Sequence, residues 1–153
     1  MTPVLENISS LYDSDYEQWL DAMILLLRNK QADLLDYEHI IEELEALGRE
    51  QKSTVESLII QVIQHLLFYQ YWRRERDYNQ RHWRVELIAF RTQLDLRLTA
   101  NLRHHLAQRL DYLYGKAKKM AEVKTELQFP LQCPYSLEQI LDEDWLPEGE
   151  EPC

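Results

Sequence analysis

The most chemical-looking stretch of this sequence is "DYEHIIEELE" at positions 36–45. Asp36, His39 and Glu43 stand at i, i+3 and i+7, so a helix would carry all three on one face with Glu42 beside them. Carboxylates and an imidazole at such spacing are what a metal site inside a helical bundle uses. The di-metal carboxylate type, however, needs a Glu-x-x-His on each of two helices, and the chain contains none. The plainer reading is an acidic first turn that suits the helix dipole, with His39 solvated.

His65 is the second candidate, three residues after Val62 and four before Tyr69 in an apolar stripe. A partly buried histidine bonded to Glu42 or Glu43 and a catalytic base look alike at this level. His82 with Glu86, and the pair His104–His105 straddling a helix face, do not converge with either by spacing. Phosphate-cradling glycine loops, zinc-spaced cysteines and the Gly-x-Ser-x-Gly turn are all missing from a chain with three glycines. The sequence therefore assigns no catalytic, cofactor-binding or metal-ligating residue and implies no cofactor. Whether His39, Glu42, Glu43 and His65 meet is a question for the fold.

Residues 69–83, "YQYWRRERDYNQRHW", raise a different chemistry: arginines interleaved with aromatics, as on a nucleic-acid surface. With Arg73, Arg74, Arg76, Arg81, Arg84, Arg91 and Arg97, the middle of the chain is basic. Charge is segregated along the sequence. Residues 1–54 hold twelve acids and four bases, residues 55–125 seven acids and thirteen bases, and residues 126–153 eight acids and no base. Since the total is −10, neutralisation of the centre by acidic partners is the cheaper account.

The elements that must position these groups are helices. Only three glycines and five prolines occur in 153 residues, and four of the prolines lie at or beyond 130. "SDYE" at 14–17 reads as a capping box, opening a helix with Tyr16, Trp19, Leu20, Met23, Ile24 and Leu27 on its apolar face. Asp36 opens the next, whose periodicity runs from Ile40 past Gly48 to Trp72. That predicts either a bend near 48–53 or a long helix over 37–76 with an end that pairs with another molecule. Asp77 and Gln80 suggest a new start near Asn79, so that Trp72 and Trp83 meet across the corner, while Arg81 and Arg84 look to the acidic C-terminal segment for a partner. Helix three carries Trp83, Leu87, Phe90, Leu94 and Leu98. Thr99–Asn101 caps helix four, with Leu102, Leu106, Leu110, Leu113, Ala117 and Met120. "SLEQ" at 136–139 starts a short helix, stopped at Pro147, with Leu137, Ile140, Leu141, Trp145 and Leu146 as its docking face.

In this order the pieces "LYDSDYEQWL" (11–20), "DYEHIIEELEALGRE" (36–50), "ESLIIQVIQHLLFYQY" (56–71), "HW" (82–83) and "FPLQCPYSLEQILDEDWLP" (129–147) resemble a bacterial family known only as domain of unknown function 29. The resemblance spans residues 11–147, and its specific parts are the acidic-apolar block ending in Leu-Gly and the block around Cys-Pro-Tyr. Many members place a proline-containing turn where this chain has "RRERDYNQRHW". The resemblance implies an all-helical bundle and no activity.

The expectation is an all-α, antiparallel bundle of about four main helices plus a short C-terminal helix. It forms a single domain over 1–147, with an acidic tail at 148–153. The longest apolar run, "AMILLL" at 22–27, is too short for a bilayer, and the N-terminus lacks the pattern of a secretion signal. Two cysteines, Cys133 and Cys153, set no disulfide framework, which points to the cytoplasm. Function ranks in three steps. First comes a protein-interaction or structural module, with a protein partner or homo-oligomer and no membrane. Nucleic-acid binding through the basic centre comes second. A metal-dependent hydrolase using Asp36, His39, Glu43 and His65 comes third.

Overall fold

The computed structural model describes residues 2–148, with side chains from residue 8 onward. Cys153 and the tail beyond Glu148 lie outside the described residues. The described chain is all-α, without strands: α1 (Thr2–Ser14), α2 (Tyr16–Arg28), a 3-10 turn (Ala32–Leu34), α3 (Tyr37–Tyr71), α4 (Arg73–Arg97), α5 (Ala100–Thr125) and α6 (Leu137–Leu141). Five helices are therefore substantial where the sequence suggested four, α1 being the additional one. The chain divides into two compact units, Met1–Glu50 and Gln51–Cys153.

In the first unit, α1 ends as the Ser14 hydroxyl donates back to the Ser10 carbonyl, and Asp15 caps α2 by accepting from the Gln18 amide. The cap is thus one residue later than the Ser14–Glu17 box expected. Among the described residues of this unit, Trp19, Met23 and Leu26 are the buried ones, packed against Ile8, Leu11, Tyr12, Leu35 and Ile40. The expected face of α2 is corrected accordingly: Trp19 and Met23 belong to the core, whereas Tyr16, Leu20, Ile24 and Leu27 are exposed. Asp36 does cap α3, its carboxylate accepting from the His39 amide.

α3 runs unbroken through Gly48, where an added Cβ would meet nothing within 4 Å. It stops at Tyr71, not near Arg76. Trp72 leaves helical geometry (φ −86°, ψ 68°) and α4 begins at Arg73, so Asp77 and Gln80 lie inside α4 rather than at its start. The physical reason is tertiary. Breaking at Trp72 lets its ring stack on Trp83 at 5.8 Å and lean on Phe68, as the expected corner requires, and Arg76 donates to the Gln70 carbonyl at the end of α3.

The second unit is an up-down-up bundle of the α3 segment Val55–Tyr71 with α4 and α5. Phe68 touches Trp83 and His65 touches Phe90, an order that makes α4 antiparallel to α3. Arg109 pairs with Glu56 and Lys124 sits over Phe68, so α5 runs parallel to α3. Val55, Ile59, Val62, Leu66, Trp83, Leu87, Leu94, Leu102, Leu106, Leu113 and Ala117 join one core, as their periodicity predicted. Met120 is exposed instead, and Tyr114 and Ala121 fill its place. Thr99 caps α5 by accepting from the Leu102 amide, so the break between helices three and four stands without proline or glycine.

The C-terminal segment docks on this bundle. Tyr114 donates to the Pro130 carbonyl, Tyr135 donates to Gln70, and Ser136 with Gln139 closes the expected capping box. Leu137 and Ile140 are buried, with Leu141, Trp145 and Leu146 packed against the core. α6 ends at Leu141, before Pro147 could stop it, because Arg91 of α4 takes up its last carbonyls. The buried guanidinium donates to Gln139, Ile140 and Trp145 at 2.9, 2.8 and 2.8 Å.

Candidate functional site

Three of the chemically interesting residues do come together, in the first unit. Asp36, His39 and Glu43 share the inner side of α3's first turns, α1 brings Tyr12 to them, and α2 brings Tyr16 and Trp19. The Asp36 Oδ2 atom accepts from His39 Nδ1 at 2.6 Å and from Trp19 Nε1 at 3.0 Å. Glu43 accepts from both tyrosines, Tyr12 at 2.5 Å on one oxygen and Tyr16 at 2.7 Å on the other. The His39 ring lies flat on Tyr12, centroids 4.0 Å apart, with Trp19 edge-on to both.

The electrostatics follow from these bonds. Burial pushes the Asp36 carboxyl up, but the bonds from His39 and Trp19 outweigh it and hold it below its usual value. An ionised Asp36 makes His39 Nδ1 the donor, and that bond raises the imidazole above its ordinary range against partial burial. The Tyr12 bond, then that of Tyr16, holds Glu43 low. The same Glu43 bond is the first cause raising each phenol.

This arrangement is a polar clamp more than a reaction centre. Both carboxylates spend their oxygens on neighbouring donors, and the hydroxyls at hand are phenols held protonated, which makes them poor nucleophiles. Among the described residues, no three His, Cys, Asp or Glu side chains form a group that could hold a metal. Glu42 is exposed and acts on Tyr12 and His39 through its charge. His65 belongs to the second unit, about six helical turns along α3 from Glu43. Its Nδ1 donates to the Gln61 carbonyl at 2.7 Å, not to Glu42 or Glu43, and burial lowers its pKa.

The clamp has a pH signature. Asp36 and Glu43 stabilise the fold above their ordinary values near 4, and lose that contribution as pH falls through their lower folded pKa values. His39 contributes below about 6.5 and loses its share as pH rises through its raised folded pKa. Stability of the first unit should therefore peak between roughly pH 4.5 and 6.5. Denaturation followed by tryptophan fluorescence across pH would show both limbs, and His39→Ala should flatten the upper one. An unchanged upper limb would remove His39 from the account.

Next to the clamp, and sharing Tyr16 with it, the first unit exposes a broad apolar surface. Tyr16, Leu20, Ile24 and Leu27 on α2 and Tyr37, Ile41, Leu44 and Leu47 on α3 are 39–63% exposed. The contacts Trp19–Asp36 and Tyr16–Glu43 run in opposite order, so these stretches of α2 and α3 are antiparallel. On each helix the central exposed stripe is turned roughly a quarter turn, in the same sense, from the seam of Trp19, Met23 and Ile40. In an antiparallel pair that rotation brings both stripes to one side. α1 occupies the other side, where Tyr12 covers His39. Acids border the stripes: Glu17 and Asp21 follow Tyr16 and Leu20, and Glu38, Glu42 and Glu45 follow Tyr37, Ile41 and Leu44, all of them exposed.

A family model described as Domain of unknown function DUF29 matches residues 11–146, nearly the whole chain and both units. The chain belongs to that family. No curated protein and no solved structure matches it.

In this DUF29 domain the arginine-rich centre resolves into separate tasks. Arg91 is 2% exposed, spent on α6, and beyond the reach of a phosphate. Arg76 is bonded to the Gln70 carbonyl. Because α4 begins at Arg73, Arg73, Arg74 and Arg76 stand in a first helical turn, where the dipole disfavours cations, not in the favourable last turn expected. Arg73 and Arg74 line a cleft of about 610 Å³ with Lys124, but Glu75 and Glu126 share it. Arg84 lies along a cleft with Glu143 and Asp144, near the acidic partner foreseen for it, and Arg81 lies beside Asp77. Sequence reasoning counted Arg91 with the surface arginines. Its signal was position, four residues after Leu87 and three before Leu94, inside the buried stripe.

Proposed function

We propose that this DUF29 chain is a protein-interaction module whose contact surface is the apolar face of α2 and α3 in its first unit. One observation carries the reading: among its described side chains, residues 8–50, the unit buries three in a core and leaves ten large apolar ones exposed. A unit of that size is marginal on its own apolar burial. Completing the burial of eight half-exposed side chains is worth on the order of 8 kcal/mol, comparable with the cost of association. Contiguous exposed apolar surface rimmed by charge is the usual mark of a docking site.

No helix among the described residues is long and apolar enough to cross a membrane. The expected cytoplasmic location stays part of the proposal. Cys133, a free thiol bonded to the Tyr135 carbonyl at 3.3 Å, is in keeping with a reducing compartment.

The test compares the intact chain with Leu20→Ser/Ile41→Ser/Leu44→Ser by sedimentation and by retention of proteins from the native host. The wild type should associate, with itself or with a retained protein. The variant, whose changes lie on exposed positions, should keep its helical circular dichroism and lose the association. A wild type that stays monomeric and retains nothing would overturn the reading.

A further inference from the structure

We propose that the acidic apolar face of α2 and α3 receives the arginine-bearing outer face of α4 from a second copy of this chain. The inference rests on the interaction-module reading and names its partner. The outer face of α4 presents Arg74, Tyr78, Arg81, Val85 and Ile88 at spacings of four, three, four and three, opposite the buried Trp83, Leu87 and Leu94. Tyr78 is 86% exposed, Val85 57% and Ile88 52%. That spacing is the repeat by which helices interdigitate, and α3 shows the same one at Tyr37, Ile41, Leu44 and Gly48.

Charge selects the occupant. The first unit carries twelve acids against three bases, and α4 carries seven arginines against four acids. Like faces of two copies would repel, as would a nucleic acid or an anionic membrane, whereas α4 complements the acids of α2 and α3. Arg81 and Arg84 would then stand near Glu38, Glu42 and Glu45. Both faces are exposed. Each copy offers one face of each kind, so a second copy can supply the complement of either.

Sedimentation velocity at low and high salt tests this with the full chain. A dimer is expected at low ionic strength, weakening as salt screens the charges. Arg81→Glu/Arg84→Glu and Glu42→Arg/Glu45→Arg should each weaken pairing by at least about tenfold. A chain carrying all four changes should regain it. All four sites are exposed, and circular dichroism confirms that each variant folds. A monomeric wild type at low salt, a dimer indifferent to both pairs, or a fourfold variant that stays monomeric would each overturn the proposal. Should the monomer still retain a host protein through Ile41 and Leu44, the second copy falls and the interaction module stands.

Discussion

Arg91→Ala should cost about 3–5 kcal/mol of stability in the second unit, far beyond a surface substitution. The guanidinium is 2% exposed, and its three nitrogens each donate to a different carbonyl, of Gln139, Ile140 and Trp145. Burial lowers its pKa, with Asp142 and Glu143 opposing, yet a guanidinium starts so high that it stays charged throughout the working range. Bonds from a charged donor are worth more than neutral ones, and their removal leaves Gln139 with the Asp142 amide alone and takes the guanidinium donor from Ile140 and Trp145. Arg91→Lys keeps the charge but cannot spread three donors in a planar fork, so it should recover less than half of the loss. Arg91→Met keeps most of the volume and separates lost packing from lost bonds. Urea unfolding gives the free energies, and hydrogen exchange over Leu137–Leu141 shows whether α6 is released. A loss within about 0.5 kcal/mol for alanine would mean the carbonyls find water as readily as the arginine.

The same residue shows what was legible and what was not. Helix existence came through where buried apolar residues recur at three and four, as for Trp83–Leu98 and Leu102–Ala117. Local chemistry came through at Asp36, Thr99 and the Ser136–Gln139 box, where a cap needs only its own first turn. The end of α3 did not, because nothing between Tyr69 and Asn79 breaks a helix by itself. Trp72 leaves the helix for contacts with Phe68 and Trp83, residues whose placement depends on the folded bundle. The face of α2 failed for a related reason. Its stripe of six apolar residues is wider than its core, and only a partner surface would tell the buried part from the exposed one. For the clamp, Asp36, His39 and Glu43 were rightly put on one face. Their true partners, Tyr12, Tyr16 and Trp19, come from α1 and α2, so the spacing that suggested a metal could not show that the oxygens were already engaged.

Trp19→Ala should have an effect of similar size in the first unit, about 3–5 kcal/mol, the usual cost of emptying a buried tryptophan site. Trp19 is 2% exposed and is one of the three described residues buried in that core. Its ring packs edge-on to Tyr12 at 4.9 Å and stacks with Tyr16 at 5.9 Å, and its Nε1 supplies one of the donors that keep Asp36 ionised. Truncation therefore empties the core and weakens the clamp together. Trp19→Phe keeps most of the ring and should cost about 1–2 kcal/mol, the share of the hydrogen bond. A unit with so small a core has little reserve, so the alanine variant is expected to open it locally. Hydrogen exchange should show protection lost over α1 and α2 while Val55–Leu67, held in the separate core of the bundle, keeps its own. Equal losses in both regions would instead make residues 1–147 one cooperative domain, with α3 carrying the destabilisation from the one core to the other.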